Sequence, residues 1–234
     1  MDNLVIRGNY IGTDVTGTER IGNAYGGIEI VNGTNIEVGD PAGDPDSPLF
    51  ANTIAYNDNG VMLTGASAVN NHIEKNSMYG NKNQAIEIIR DNSFTNDGQN
   101  PNDADDADTG ANLLMNTAEI ISYSVVEDDM LFIYYIDVEV SINASDTNAV
   151  YPLWVSFYYT NINEPMQGRY YYGGTLIQTP AATHSIAIPF QPSDYTDGMK
   201  VAMTVTDANG NTSEMSESIT IGEFDLIFAN GFDY

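Results

Sequence analysis

The sequence predicts an all-β fold, in which a short parallel β-helix of about three coils and a closing segment is followed by an antiparallel β-sandwich. Three observations support this prediction. Residues 52–63 form a sequence motif of a short strand, an Asn/Gly-rich turn and a second short strand. Imperfect copies of this motif occur before and after it. Nothing of helical period separates these strands. The composition also changes near residue 113, after which 11 of the 15 Tyr residues occur.

Three repeated units fill residues 3–91, and each offers three short strands of alternating pattern joined by Asn/Gly turns. One strand per face and one unit per coil is what a parallel β-helix requires. Successive rungs lie about 4.8 Å apart, so each apolar side chain covers its equivalent in the next rung. The predicted interior columns are Ile11–Ile54–Met78, Ile28–Val61–Ile86 and Ile30–Leu63–Ile88.

Asparagine is expected to stack in two polar columns. Stacked Asn side chains can form hydrogen bonds along the column, and Asn tolerates the left-handed backbone of a coil corner. The alternative is that these are independent turn residues. The two predicted columns are Asn9–Asn52–Asn76 and Asn3–Asn35–Asn71. Two turn-rich insertions, 12–20 and 39–50, are expected to leave the coils as loops.

We assign residues 1–113 to the coils and their acidic closing segment, 114–222 to an immunoglobulin-like sandwich, and 223–234 to a C-terminal tail. About seven strands at regular spacing, separated by Asp/Asn/Gly turns, favour such a sandwich. The predicted strands are Ile120–Val126, Met130–Ser141, Tyr151–Thr160, Gln167–Tyr172, Ser185–Phe190, Met199–Thr206 and Ser216–Ile221.

Charge and composition exclude several function classes. Seven Lys and Arg residues against 33 Asp and Glu residues give a net charge of −26, which repels phosphate backbones and anionic lipids. We therefore expect neither a nucleic-acid partner nor a membrane span, since no apolar run approaches the roughly 20 residues that a bilayer requires. The lack of Cys excludes disulfides, thiolate metal sites and thiol catalysis. No signal peptide precedes the patterned sequence, so we expect a cut inside a longer chain or a processed form.

Several phrases resemble those of a known family. Residues 8–23 (GNYIGTDVTGTERIGN) and 102–112 (NDADDADTGAN) are similar to motifs of bacterial right-handed parallel β-helix proteins of the pectate-lyase-like superfamily. Residues 205–214 resemble the end of the small sandwich that often follows those coils, and 224–232 resemble a short tail on exported proteins of Gram-negative bacteria. The resemblance implies a right-handed helix and export, and it implies no particular activity. The chain departs from the pattern where Ala85 replaces the usual Gly.

The acidic segment is the candidate metal site. Carboxylate and amide oxygens at this density are the ligands that Ca²⁺ prefers, although the distant bidentate Glu of an EF-hand is absent. The alternative is a solvated acidic linker. The candidate Ca²⁺ ligands are Asn102, Asp103, Asp105, Asp106 and Asp108.

Glu29, Met62 and Glu87 are the candidate carbohydrate-binding residues, because the stacking register places them in one outward column. The two Glu residues would be about two rungs, or roughly 10 Å, apart, which is too long for a retaining glycosidase and marginal for an inverting one. The basic residues of the third unit include His72, which we expect to be a surface turn residue. No nucleophile elbow, phosphate loop or HExxH motif is present, so no catalytic residue is assigned.

We therefore expect a secreted or cell-surface protein with a structural or adhesive role, whose partner is a polysaccharide or another surface protein. The exposed strand edge at residues 3–6 must be covered by further coils or a partner subunit. End-to-end stacking into a homo-oligomer or filament is the corresponding prediction. The alternative function is the C-terminal part of a polysaccharide lyase or epimerase whose catalytic coils are missing.

Overall fold

The computed structural model describes residues 2–40, 50–90, 95–128, 133–161, 163–164, 166–190 and 198–221. Most of the second predicted insertion and the whole predicted tail lie outside these ranges. The described residues contain β-strands and two short 3-10 helices, at Ala104–Asp106 and Ala111–Leu114. The all-β prediction is therefore confirmed.

The first half of the chain forms three parallel sheets, which together we call the parallel region (residues 2–114). Its strands are β1 (Val5–Ile6), β2 (Tyr10–Ile11), β3 (Gly26–Val31), β4 (Glu37–Gly39), β5 (Thr53–Ala55), β6 (Asn59–Thr64), β7 (His72–Glu74), β8 (Ser77–Tyr79) and β9 (Ile86–Ile89). The strand orders are β1-β4-β7, β2-β5-β8 and β3-β6-β9, so each coil of the chain adds one strand to each sheet. This arrangement is compatible with a parallel β-helix.

The three predicted apolar columns are confirmed. Ile54 pairs with Ile11 on one side and with Met78 on the other. The columns through Val61 and Leu63 have the predicted partners in β3 and β9. Ile54, Val61 and Leu63 are fully buried because each is covered by the rungs on both sides.

Of the two predicted Asn columns, the first is confirmed and the second is displaced by one residue. Asn52 Oδ1 accepts hydrogen bonds from the backbone N–H and side-chain Nδ2 of Asn9, both at 3.0 Å, and Asn52 Nδ2 donates to Asn76 Oδ1 at 2.9 Å. In the second column Asn35 lies beside Asn70, and Asn70 Nδ2 donates a hydrogen bond to Asn35 Oδ1 at 3.4 Å. Asn71 instead lies beside Ile36, and Asn71 Oδ1 accepts a hydrogen bond from the backbone N–H of Ile36 at 3.1 Å.

The structure adds an Asn column that we did not predict. The side chain and backbone of Asn23 both donate to Asn57 Oδ1 at 3.0 Å, and Asn57 does the same to Asn81 Oδ1 at 3.1–3.3 Å. Asn81 then donates to Gln167 Oε1 at 3.0 Å. The repeat did not predict this column, because the insertion at residues 12–20 shifts Asn23 away from its equivalent position in the sequence.

The replacement of Gly by Ala at position 85 follows from its place in the last coil. Gly27, Gly60 and Ala85 occupy equivalent positions, since the next residues pair in register. A Cβ on Gly60 would lie 2.3 Å from the carbonyl oxygen of Ala85 in the coil above it. Among the described residues no further coil lies above Ala85, where the backbone carbonyl of Met166 accepts the Ala85 N–H at 3.0 Å. The methyl group is therefore tolerated only there.

The second half of the chain forms two antiparallel sheets, which we call the antiparallel region (residues 115–221). Their strands are β10 (Glu119–Asp128), β11 (Ile133–Ser141), β12 (Leu153–Thr160), β13 (Tyr170–Ile177), β14 (His184–Phe190), β15 (Lys200–Thr206) and β16 (Ile219–Thr220). The strand orders are β10-β11-β14 and β13-β12-β15-β16. Each of the seven predicted strands corresponds to one of these.

The largest differences in extent between prediction and structure are at β13 and β16. β16 is shorter than predicted, and β13 begins and ends later, since it runs through Gly173 and Gly174. The predicted strand ended before this pair of glycines. Gly174 is required inside the strand because a Cβ there would lie 2.6 Å from the ring of Trp154 on β12.

The β13-β12-β15-β16 sheet is buried on both faces. On one face Val155 and Phe157 contribute to a core shared with the β10-β11-β14 sheet. On the other face Tyr158 and Ala202 belong to the core of the parallel region. The alternating pattern of β12 predicted one buried face, whereas the third coil covers the other.

The antiparallel region satisfies the backbone amides on the outer edge of the third coil. Without a partner, each buried N–H would cost about 1–3 kcal/mol. The acceptors come from separate elements: Asn211 Oδ1 for Asn70 (2.7 Å), Thr212 Oγ1 for Ile73 (3.0 Å), Tyr158 OH for Lys75 (3.1 Å), Gly168 O for Met78 (2.8 Å) and Glu214 Oε1 for Ile88 (2.8 Å).

This cover bears on the predicted end-to-end stacking. Head-to-tail stacking requires a free edge on both the first and the third coil. The third coil has these edge amides bonded within the chain, so they are not free donors for a strand of another copy. Among the described residues, β1, β2 and β3 are each hydrogen-bonded to a strand on one side only.

Candidate functional site

The outer face of the β3-β6-β9 sheet carries a groove. Register places Met62 between Glu29 and Glu87, so the three candidate carbohydrate-binding residues share one column, as predicted. A cavity of about 370 Å³ lies over this column and its neighbour. It is lined by Tyr25, Glu29, Val31, Met62, Thr64, Ile89 and Thr95.

Only one of the three candidate residues faces solvent. Glu29 is exposed, whereas Met62 is 5% exposed and Glu87 is fully buried. The column that we predicted to point outward is therefore buried at Met62 and at Glu87. At Glu87 the physical reason is that the segment from Asn96 to Asn100 folds back over β9.

Glu87 holds this segment in place. Its Oε1 accepts the backbone N–H of Asp97 at 2.9 Å, and its Oε2 accepts the side chains of Gln84 and Asn96, each at 2.6 Å. Burial raises the pKa of Glu87 to about 7, with a further contribution from the neighbouring Asp97. Glu87 is thus a buried anchor of this segment and is not a surface ligand.

Tyr25 and Glu29 form the open rim of the groove. The Tyr25 side chain is 67% exposed, and the nearby Val31 is 44% exposed. The backbone N–H of Gly26, the residue that follows Tyr25, donates to Glu29 Oε1 at 3.3 Å and so fixes the position of the carboxylate. The rim therefore presents an aromatic face beside a hydrogen-bond acceptor.

The acidic closing segment brings three of its five predicted ligands together. Oxygens of Asp103, Asp106 and Asp108 lie within 4.8 Å of one another. Asp106 is buried, and its Oδ1 accepts the backbone N–H of Asn116 at 2.7 Å. Burial raises the pKa of Asp106 to about 7, and the charges of Asp108 and Asp103 act in the same direction. Asp108 Oδ1 is buried and has no hydrogen-bond partner among the described residues.

The other two predicted ligands are used differently. Asn102 Oδ1 accepts the backbone N–H of Thr117 at 2.8 Å, and its Nδ2 donates to the Thr117 carbonyl at 3.0 Å. Asp105 lies outside the cluster and is exposed. Its backbone carbonyl instead accepts the N–H of Ser145, which ties the closing segment to the antiparallel region.

The basic residues of the third coil are engaged in structural contacts. His72 begins β7 instead of lying in a turn, and its Nε2 lies 2.9 Å from Glu74 Oε2. The same buried carboxylate accepts hydrogen bonds from Trp154 Nε1 and from Ser156 Oγ. These contacts join β7 to β12, so they stabilise the junction between the two regions.

Glu214 is a buried residue that sequence reasoning missed. It lies in the stretch that we compared with the end of a small sandwich, and the sequence assigned it no role. It is 1% exposed, and its Oε2 accepts the backbone N–H of Asn100 at 2.7 Å. Burial raises its pKa to about 8. The polar run Asn211–Thr212–Ser213–Glu214 was the available signal, but only the docked third coil shows what it binds.

Comparison with models of known protein families and with curated proteins finds no significant match. The resemblance to pectate-lyase-like β-helix proteins therefore stays an expectation. Within the described ranges, no helix has the length and apolar character needed to cross a membrane.

Proposed function

We propose that this chain is a structural or adhesive module of a secreted or cell-surface protein, and that it binds carbohydrate in the groove on the β3-β6-β9 sheet. The proposal includes a fold of short right-handed parallel β-helix followed by an immunoglobulin-like sandwich. The observation that carries the function is the juxtaposition of an exposed aromatic ring, Tyr25, with an exposed carboxylate, Glu29, at the rim of a cavity. Its volume of about 370 Å³ is within the range of small-ligand sites, about 300–1,000 Å³.

The groove supports binding better than catalysis. The alternative function, part of a polysaccharide lyase or epimerase, needs a basic group beside the sugar ring to abstract a proton. No Lys, Arg or His lines the groove. Glu87, the second carboxylate of the column, is buried under the segment from Asn96 to Asn100.

The free strand edge of the first coil supports the proposal that a partner binds at that end of the module. The strands of this coil are paired on one side only among the described residues, and a free strand edge is a template for further β-pairing. Because the third coil is covered, copies that associate through this edge would form a closed dimer and not a filament. Light scattering tests this part of the proposal, and concentration-dependent filaments would contradict it.

Ca²⁺ is the proposed ligand of the closing segment, through Asp103, Asp106 and Asp108. Support comes from the convergence of their oxygens within 4.8 Å and from the buried, unpartnered Oδ1 of Asp108. Bound Ca²⁺ would stabilise the segment that joins the two regions.

The test of carbohydrate binding is a screen of immobilised polysaccharides with the purified chain and two Tyr variants. Tyr25→Ala removes the rim ring, and Tyr10→Ala removes a ring that is 51% exposed on a different sheet. We expect binding that Tyr25→Ala weakens and Tyr10→Ala does not. Equal binding by both variants, or none by the unmodified chain, would exclude the groove. Release of unsaturated products from uronate polysaccharides would establish the enzymatic alternative.

A further inference from the structure

The charges around the groove restrict the class of carbohydrate that it can take, and this step rests on the function proposed above. A site for uronate or sulfated sugars normally offers cations, since Arg and Lys are the side chains that bind carboxylate and sulfate groups. The chain has only seven such residues, and all of them lie within the described ranges. None of the seven lines the groove.

Three of the cations are paired with carboxylates at other places. Arg7 Nη2 lies 2.6 Å from Glu37 Oε2, and Arg90 Nε lies 3.5 Å from Asp97 Oδ2. Lys82 Nζ lies 3.7 Å from an oxygen of Asp58. None of these three cations is among the residues that line the groove.

Three others lie over tyrosine rings. The guanidinium of Arg20 lies 4.9 Å from the ring centre of Tyr56, and that of Arg169 lies 4.2 Å from Tyr79. Lys75 Nζ lies 5.7 Å from the ring of Tyr171. The seventh cation, Lys200, begins β15 in the antiparallel region.

The charged group that the groove does offer is negative. Glu29 is an exposed carboxylate at the rim, and the chain as a whole carries a net charge of −26. An anionic polymer would therefore meet repulsion at the site and across the surface. A neutral sugar would meet none, and a carboxylate is a good acceptor for sugar hydroxyl groups.

The remaining lining residues fit a neutral sugar. Tyr25 presents a ring that is 67% exposed, on which the apolar face of a pyranose can pack. Val31 and Ile89 extend this apolar surface, and Thr64 and Thr95 add hydroxyl groups. We infer that the groove binds a segment of a neutral polysaccharide, with Tyr25 stacking on a sugar ring and Glu29 accepting hydrogen bonds from its hydroxyl groups.

Calorimetric titration with neutral and acidic oligosaccharides tests this inference. The probes are cello-, xylo- and manno-hexaose on the neutral side and oligogalacturonate of the same length on the acidic side. We expect at least one neutral probe to bind and the acidic probe to bind at least about tenfold more weakly. Tyr25→Ala should lower the neutral affinity about tenfold, which is the usual scale of one aromatic contact, whereas Tyr10→Ala should not change it.

Glu29→Gln adds a readout specific to charge. It removes the rim charge but keeps an acceptor oxygen, so it should raise the affinity for oligogalacturonate and lower the affinity for the neutral probe several-fold, because a neutral amide is a weaker acceptor than a carboxylate. If oligogalacturonate binds more tightly than every neutral probe, and Tyr25→Ala abolishes that binding, the inference is overturned while the proposed function stands. If no carbohydrate binds, or if binding is the same in Tyr25→Ala, both are overturned.

Discussion

Glu214 Oε1 accepts the backbone N–H of Ile88 at 2.8 Å. The donor belongs to the last strand of the parallel region and the acceptor to the antiparallel region, 126 residues later in the chain. A further coil would offer a backbone carbonyl at this place. The buried side chain of Glu214 takes the place of that carbonyl. Its second oxygen accepts a hydrogen bond from the backbone N–H of Asn100, in the segment over β9. One carboxylate thus joins three parts of the fold.

This arrangement predicts that the folded chain is more stable at mildly acidic pH than at alkaline pH. The pKa of Glu214 is raised from 4.5 to about 8 and that of Glu87 from 4.5 to about 7, mainly by burial. The folded state therefore binds more protons than the unfolded state between these values. Their contribution to stability is complete below about pH 4.5 and is lost as the pH rises through 7–8. Thermal unfolding at pH 5.5 and 8.5 should show a higher melting temperature at pH 5.5.

Glu214→Gln separates this effect from the general charge of the chain. The variant cannot ionise, so the difference in unfolding free energy between the two pH values should shrink by about 1 kcal/mol or more. Glu217→Gln, at an exposed position three residues later, is the matched control and should retain the full difference. If both variants keep the same pH dependence, Glu214 does not titrate in this range.

The Asn52 side chain is predicted to be a major stabilising group of the coils. It is fully buried and takes part in hydrogen bonds with Asn9, Asn76 and the carbonyl of Ile6. Asn52→Ala removes all of them and leaves buried partners unsatisfied, which should cost about 2–4 kcal/mol. Asn209→Ala, at an exposed turn, should change stability by less than about 0.5 kcal/mol. Urea unfolding of the two variants measures this, and equal midpoints would show that the Asn column contributes little.

Gly60→Ala is predicted to destabilise the fold by steric overlap. The added methyl group would lie 2.3 Å from the Ala85 carbonyl oxygen, a backbone atom that can move only with its whole coil. A cost of about 1–3 kcal/mol is expected for such overpacking. Ala85→Gly, in the same column of the last coil, should cost no more than about 1 kcal/mol. Thermal melts compare the two, and a larger loss for Ala85→Gly would refute the steric explanation.

Calcium is predicted to raise the melting temperature of the unmodified chain. At a free concentration of 100 times its Kd, a single bound ion adds about 2.7 kcal/mol. Asp106→Asn should abolish this gain because Asp106 lies within the three-carboxylate cluster, whereas Asp105→Asn should preserve it because Asp105 is exposed outside the cluster. Calorimetry and melts in Ca²⁺ or chelator provide the measurements. No uptake by the unmodified chain would leave the segment as an acidic linker.

The strand phrases of the coils were predictable because each coil repeats the same local chemistry. Ile54, Val61 and Leu63 recur at equivalent places in neighbouring units, so the apolar columns could be aligned from the sequence. The alignment failed by one residue at Asn71, where the loop before the strand has a different length. It also missed the Asn57 column, where an insertion hides the repeat.

The candidate site was predictable only in part. The register placed Glu29, Met62 and Glu87 in one column, but it could not show that Glu87 is buried, because the segment over it comes from outside the repeat. Similarly, the acidic composition of residues 102–108 indicated a cation site. It could not show that the side-chain oxygen of Asn102 accepts a hydrogen bond from the backbone of Thr117.

Local pattern was therefore sufficient for the existence of the strands and for the register of the three apolar columns in the coils. These properties depend on neighbours within a unit or at the equivalent place of the next unit, which the repeat makes visible. The docking of the antiparallel region onto the third coil was decided only by the tertiary structure. Its contacts join residues such as Glu214 and Ile88, which are too far apart in the chain to belong to any repeat. The burial of Glu214 in this contact is what raises the pKa of its carboxyl group.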